Sequence, residues 1–255
     1  MHLAGSRGFA AIRSLARLFL PVLLALTACT PEEPKTPPPI LLFNGAGTSP
    51  NDVKAVEAIL RDGKLGYATV NSKELDRLSE VQLSAYKLMI IPGGNYLTIG
   101  DRLTTNATSN VRHAVQQGMN YLGICAGGLL AGETGHNSLN LTAGVRFGFY
   151  AVVNRGIHKT AVAISGAGSP TLEQYWEDGP QFTGWGATVA KYPDGTPAVV
   201  QGTCGKGWVI LCGFHPEAPA NWRRGMNFTT PVSADHAYAR TLIETALAGT
   251  HLPQH

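Results

Sequence analysis

The chain has 255 residues, with 20 Lys and Arg against 17 Asp and Glu, and four Cys. That length suits one sizeable α/β domain with a substantial core. A near balance of charge without a Lys- or Arg-rich stripe excludes a nucleic-acid partner. Sparse cysteines, with no C-x-x-C or H-E-x-x-H spacing, give no sign of a metal or other cofactor.

At the N-terminus, Arg7, Arg13 and Arg17 precede an apolar run from Leu18 to Leu26. A basic stretch, a short apolar run and small residues describe an exported precursor. The run is too short to span a bilayer as a helix. Leu26-Thr27-Ala28 directly before Cys29 resembles the bacterial lipobox, which implies cleavage after residue 28 and lipid on Cys29. Residues 1–28 are therefore expected to be a signal peptide. Their loss removes three Arg and no acid, so Lys and Arg fall from 20 to 17 and the remainder is formally neutral. Residues 29–39, with Pro31, Pro34, Pro37, Pro38 and Pro39, read as an extended, semi-rigid linker that holds a domain off a membrane. The expected location is the bacterial envelope, lipid-anchored and facing the periplasm or the cell surface.

Residues 40–248 read as the domain and 249–255 as a tail. Ile40 to Asn44 is an apolar run of the kind found in buried parallel strands. Ser49-Pro50 marks a helix start, with Gly63 and Gly66 closing it. Tyr67 to Val70 is the next strand, and Leu75 to Leu83 a polar helical or looping stretch. Lys87 to Ile91 is a buried strand that runs into Pro92-Gly93-Gly94-Asn95-Tyr96. Two glycines at a strand's C-terminal end let backbone N–H groups approach a ligand or oxyanion closely. Val111, Ala114 and Val115 lie on a helix ended by Gly118. This alternation predicts a doubly wound, mostly parallel sheet. From Leu141 to Lys191 short strand-like pieces and many glycines predict an antiparallel β elaboration. Gly205-Lys206-Gly207 then joins two apolar strands as a hairpin; its turn would not bring Cys204 opposite Cys212, and a disulfide between them stays open. A helix from Ala234 to Leu247, stopped by Gly249, completes the domain, with Asp235 explained as a cap.

Asn120 to Ala131 is the focus of the chain. A short apolar strand breaks into a helix at Cys125, and Gly123-x-Cys125-x-Gly127 is the thiol form of a nucleophile elbow. Side chains at the flanking glycines would collide with the neighbouring strand and helix, and the helix N-terminus favours negative charge on the sulfur. Later, His215 and Glu217 follow a buried strand. Residues two apart on an extended segment face the same way, so the carboxylate can fix the imidazole's tautomer and the imidazole can deprotonate a thiol. His158-Lys159 reads as surface, and Tyr96, Tyr175 and Trp176 as possible pocket residues.

Gly-Ile-Cys-Ala-Gly together with His-Pro-Glu resembles the class I glutamine amidotransferase superfamily. The Gly-Gly loop with a nearby Tyr, Tyr-Leu-Gly-Ile-Cys-Ala-Gly, and the Gly-Lys-Gly hairpin running into His-Pro-Glu are similar to the N-terminal domain of biotin-protein ligases. The resemblance covers about residues 40–248 and implies a flavodoxin-like fold. It implies a catalytic triad of Cys125 (nucleophile), His215 (base) and Glu217 (orienting group). It also implies oxyanion donors at the N–H groups of Ala126 and Gly94, with Gly93 beside them. Leu129 stands where glutaminases of this class carry a Gln, and no synthetase or ligase domain is expected after the domain, so glutaminase activity is not expected. The expected function is a thiol hydrolase or transferase acting on a small-molecule or peptide amide. The alternative is a catalytically silent binding module that keeps the pocket.

Overall fold

A computed structural model describes residues 1–2, 37–151 and 157–255. The apolar run of the N-terminal segment, Cys29 and the linker up to residue 36 lie outside the described residues. Within the compact unit Thr36–His255, the first half alternates strands and helices. In chain order these are β1 (Ile40–Phe43), α1 (Pro50–Asp62), β2 (Tyr67–Val70), α2 (Ser72–Leu75), α3 (Glu80–Leu83), β3 (Leu88–Ile91), α4 (Tyr96–Arg102), α5 (Thr105–Gln117), β4 (Asn120–Ile124) and α6 (Ala126–Ala131). The second half is mostly β, with β5 (Gly148–Phe149), β6 (Lys159–Gly166), β7 (Leu172–Glu177), β8 (Pro180–Gln181), β9 (Ala187–Lys191), β10 (Pro197–Cys204) and β11 (Gly207–Cys212), before α7 (Val232–Ala248).

One sheet runs in the order β2-β1-β3-β4-β11-β10-β9-β6-β7. Its first five strands are parallel, in the strand order of flavodoxin-like folds. The remaining pairings are antiparallel. Apart from the edge strand β2, the parallel strands are buried on both faces, and alternate residues feed two cores. Ile40 and Leu42 pack with residues of α1 and α7, such as Val56, Ile59, Leu242 and Ile243. Leu41 and Phe43 pack on the other face with Val111, Val115 and Leu130 from α5 and α6. The helix boundaries follow local chemistry. Ser49 caps α1 by accepting from the Asp52 N–H, and Gly249 ends α7 in the left-handed region at φ +64°.

Three features differ from the sequence reading. Helix α4 follows the Gly-Gly loop directly, with Asn95 as its cap through the Thr98 N–H at 3.0 Å; the glycines masked its short period. Residues 249–255 do not trail away: the Gln201 side chain brackets Leu252 with two hydrogen bonds of 2.7 and 2.8 Å. Asp235 is no cap. It is fully buried, accepts from Gln174 Nε2 at 3.2 Å and lies 3.5 Å from Arg223 Nη1. Lys159 is exposed, as expected, and pairs with Glu177 at 3.1 Å. The hairpin turn consists of Gly205 and Lys206, pairing Cys204 with Gly207 and Cys212 with Val199. Cys204 and Cys212 are free thiols at opposite ends of the hairpin.

The elbow is built by close backbone approach. A Cβ on Gly127 would lie 2.0 Å from the Ile91 carbonyl oxygen, and one on Gly123 2.6 Å from the Gly127 carbonyl carbon. The buried Tyr121 hydroxyl donates to the Gly127 carbonyl at 2.7 Å. Replacing Gly127 with Ala must push β3 and α6 apart. Urea denaturation should show a lower midpoint, equivalent to about 1–3 kcal/mol for overpacking of this kind. An unchanged midpoint would contradict the close packing.

Candidate active site

Cys125 sits at φ +49°, ψ −105°, between β4 and α6. Few non-glycine residues occupy such a conformation, and those that do cluster at functional sites. The turn is tied down by the Cys125 N–H, which donates to the Cys212 carbonyl at 2.8 Å. Because β11 lies parallel to β4, the chain leaving Cys212 emerges beside the elbow. Three residues later it delivers His215, whose N–H donates to the Tyr175 carbonyl at 2.8 Å. Cys125 and His215 thereby line one cavity of about 770 Å³ at the C-terminal edge of the parallel strands. Cys125 Sγ lies 3.7 Å from the Glu177 carbonyl oxygen.

Two carboxylates meet His215, not one. Glu217 Oε1 and Asp52 Oδ1 each lie 3.0 Å from Nδ1, and all three residues are buried. The expected His215–Glu217 pair is thus present at hydrogen-bond distance, and Asp52 joins it from the first turn of α1. Asp52 lies on the buried side of that helix with Val56 and Ile59. A carboxylate on an apolar stripe was the signal available in the sequence, and its place in the first turn disguised it as an ordinary helix-start acid. Gly93 makes room for the pair, since a Cβ there would stand 2.1 Å from Asp52 Oδ1 and 2.6 Å from His215 Cε1.

The electrostatics follow from this crowding. Burial opposes a charged imidazole, but Cys125, Glu217 and Asp52 together raise the His215 pKa well above its ordinary value. Burial pushes the Glu217 carboxyl up against the pull of His215. For Asp52, burial is outweighed by the charge and hydrogen bonding of His215, which hold its carboxyl below the usual range. Tyr175 and Trp222 present ring edges to the imidazole at centroid distances of 5.8 and 6.0 Å, shielding it from water. Asp52, His215 and Glu217 also present ligand atoms within 4.8 Å of one another, a spacing that fits a divalent cation. A cation there would compete for Nδ1, the nitrogen the carboxylates hold.

Gly94 and Ala126 both line the cavity. Ser49 N–H to the Gly93 carbonyl (3.0 Å) and Asn95 N–H to the Gly47 carbonyl (2.8 Å) flank Gly94. Its own N–H and that of Ala126 have no backbone acceptor among the described residues. Gly94 adopts φ +145°, and a Cβ there would sit 2.2 Å from the Gly47 oxygen, so the loop tolerates no side chain. Gly93 does not line the cavity; its part is steric. Tyr96 and Tyr175 reach the cavity wall, whereas Trp176 does not. Alternation along β7 turns Trp176 into the core, 1 % exposed, with its ring edge-on to Tyr150 at 5.6 Å. Leu129 and the pair Lys159–Glu177 also line the cavity. Glu177 goes unread in the sequence and Lys159 reads there only as surface, because β6 and β7 place them at the cavity only after they join the sheet edge.

Residues 39–161 match the family model described as "Biotin-protein ligase, N terminal". Comparison with curated proteins returns no match. Among solved structures, a glutamine amidotransferase superposes with a TM-score of 0.60 at 20% identity, covering 83% of this chain and 100% of its own. A cytoplasmic protein from Salmonella typhimurium LT2 gives 0.50 at 14% identity, covering 82% of this chain and 98% of that one. A GH42 β-galactosidase gives 0.50 at 15% identity over 82% of this chain and 30% of its own. At these identities the likeness is one of fold. The family match spans β1 to β4, the Gly-Gly loop, Asp52 and the Cys125 elbow, so this part of the chain is similar to the N-terminal domain of biotin-protein ligases, within a fold like that of a glutamine amidotransferase.

Proposed function

We propose that this is a lipid-anchored envelope protein whose domain carries out thiol-mediated hydrolysis or transfer at an amide or related acyl carbon. The observation that carries the chemistry is Cys125 on its strained turn sharing a cavity wall with His215, whose Nδ1 is hydrogen-bonded to the buried Glu217 and lies 3.0 Å from the buried Asp52. In this reading the Cys125 thiolate attacks the carbonyl carbon. The oxygen takes up negative charge facing the Gly94 and Ala126 N–H groups. As the C–N bond breaks, His215 gives its proton to the departing amine, and the acyl group remains on sulfur as a thioester. His215 then takes a proton from water, the hydroxide attacks the thioester carbon, and an acid leaves as the thiolate is restored. Another acceptor in place of water makes the same steps a transfer. Leu129, apolar and at the cavity wall, cannot hydrogen-bond a glutamine amide, which argues for a different amide. The Leu26-Thr27-Ala28-Cys29 pattern supports the anchor and the envelope location.

A second reading is a binding module without turnover. It is favoured by the Cys125 thiol resting 3.7 Å from the Glu177 carbonyl, a contact that occupies the sulfur.

Iodoacetamide labelling read by mass spectrometry separates the two. The nucleophile reading expects Cys125 to label much faster than Cys204 and Cys212. His215→Ala should slow it by about 10²-fold or more, in line with the usual contribution of a positioned base, and Cys125→Ala should abolish turnover with an unchanged circular dichroism spectrum. Equal labelling of the three thiols, indifferent to His215, would establish the binding module. The Nδ1 clamp gives a separate test. Because His215 is held protonated above its ordinary range, its Cε1–H signal should not titrate through pH 6.5. Asp52→Asn removes one of the charges that favour the imidazolium, so the midpoint should move down; equal midpoints near 6.5 in both proteins would refute the clamp. For the anchor, Cys29→Ser should release the protein from the membrane fraction, and unchanged fractionation would refute lipid attachment there.

A further inference from the structure

Large apolar side chains exposed among the described residues are few: Met1, Val81, Leu97, Phe149 and Ile157. The last three stand together on the wall of the Cys125 cavity, although they come from α4, from β5 and from the segment before β6. Tyr96 packs against Phe149 with ring centroids 6.1 Å apart, and Met226 joins the same wall. Exposed apolar surface gathered from separate segments around a reactive group marks a binding surface for an apolar partner group.

A cation faces the same space. Lys159 is already paired with Glu177, whereas Arg224 is exposed, lines the cavity and has no carboxylate partner among the described residues. Its position is set by its neighbour. Arg223 turns into the protein, reaches Asp235 at 3.5 Å, donates from Nη2 to the Thr230 carbonyl at 2.5 Å and lies 3.7 Å from the centroid of the Phe228 ring. Tethering Arg223 holds this loop with Trp222 and Arg224 at the cavity. Guanidinium groups recognise carboxylates through paired N–H donors.

From this arrangement we infer that the cavity takes small amides bearing a large apolar side group and a free carboxylate, the carboxylate being received by Arg224. The inference rests on the proposed acyl chemistry for calling such a ligand a substrate. The cavity's volume of about 770 Å³ is within the range of small-molecule sites.

Binding decides the ligand class without turnover. Cys125→Ala protein is titrated calorimetrically with N-acetyl-L-phenylalanylglycine, with its C-terminal amide and with N-acetylglycylglycine. The free acid should bind about tenfold or more tightly than either analogue, the scale expected for one charged contact or one buried aromatic group. Adding Arg224→Met should remove the preference for the acid over its amide and keep the preference for the phenylalanyl compound. Equal binding of acid and amide, survival of that preference in the Arg224→Met protein, or no binding of the free acid would overturn the inference. Glycine release by the native Cys125 protein is read separately. Acid-selective binding with no glycine released keeps the ligand class and rejects the acyl chemistry, whereas release with no acid preference keeps the chemistry and rejects the ligand class.

Discussion

The backbone at Cys125 is the constraint on which the site depends. Holding a side-chain-bearing residue at φ +49° costs on the order of 1–3 kcal/mol and persists only where the surroundings over-determine it. Here they do so from three directions. The Cys212 carbonyl receives the Cys125 N–H, the Tyr121 hydroxyl holds the Gly127 carbonyl, and the Ile91 carbonyl closes on Gly127 so tightly that no Cβ fits. Each support belongs to a different strand, so the turn exists only once β3, β4 and β11 are side by side.

That adjacency also concentrates charge. Two carboxylates and one imidazole lie within hydrogen-bond distance in a region shielded from solvent. Burying such groups is costly unless they satisfy one another, and the opposite directions of the Asp52 and Glu217 shifts fit one carboxylate carrying charge more readily than its neighbour. The imidazole gains a fixed tautomer and a preference for the charged form, with Nε2 left uncommitted to either carboxylate. Tyr175 and Trp222 keep water off it, and Gly93 is the space that lets Asp52 and His215 meet.

The cavity has two sources. Its floor is the parallel half of the sheet, where Cys125, Gly94 and Asp52 sit and where the family match lies. Its far wall comes from the antiparallel extension and the loop after β11, which bring Glu177, Tyr175 and Trp222. His215 belongs to β11's exit and joins the two parts, because β11 is the last parallel strand and also the first partner of the antiparallel series. Cys125, Asp52 and His215 are thus positioned by the parallel core and its last strand, while much of the rest of the cavity lining comes from the extension and the loop after β11.

Much of this was legible in the residues. Apolar runs of four or five predicted the parallel strands, Ser49-Pro50 the start of α1, and Gly205-Lys206 the hairpin, because each reflects local backbone preference or burial. Gly123, Cys125 and Gly127 announced the elbow, and the spacing of His215 and Glu217 put both on one side of an extended segment. What the sequence by itself determined was therefore most of the elements, α4 excepted, and the presence of Cys125, His215 and Glu217 at their ends. Only the tertiary structure decided that Asp52 approaches Nδ1 beside Glu217, that Trp176 turns away from the cavity while Lys159 and Glu177 turn toward it, and that Arg223 is tethered while Arg224 lines the cavity. The physical reason is that periodicity reports which face of an element is buried but not what it is buried against. Asp52 and His215 are far apart along the chain, and they meet because β1, β3, β4 and β11 stand in that order in one sheet.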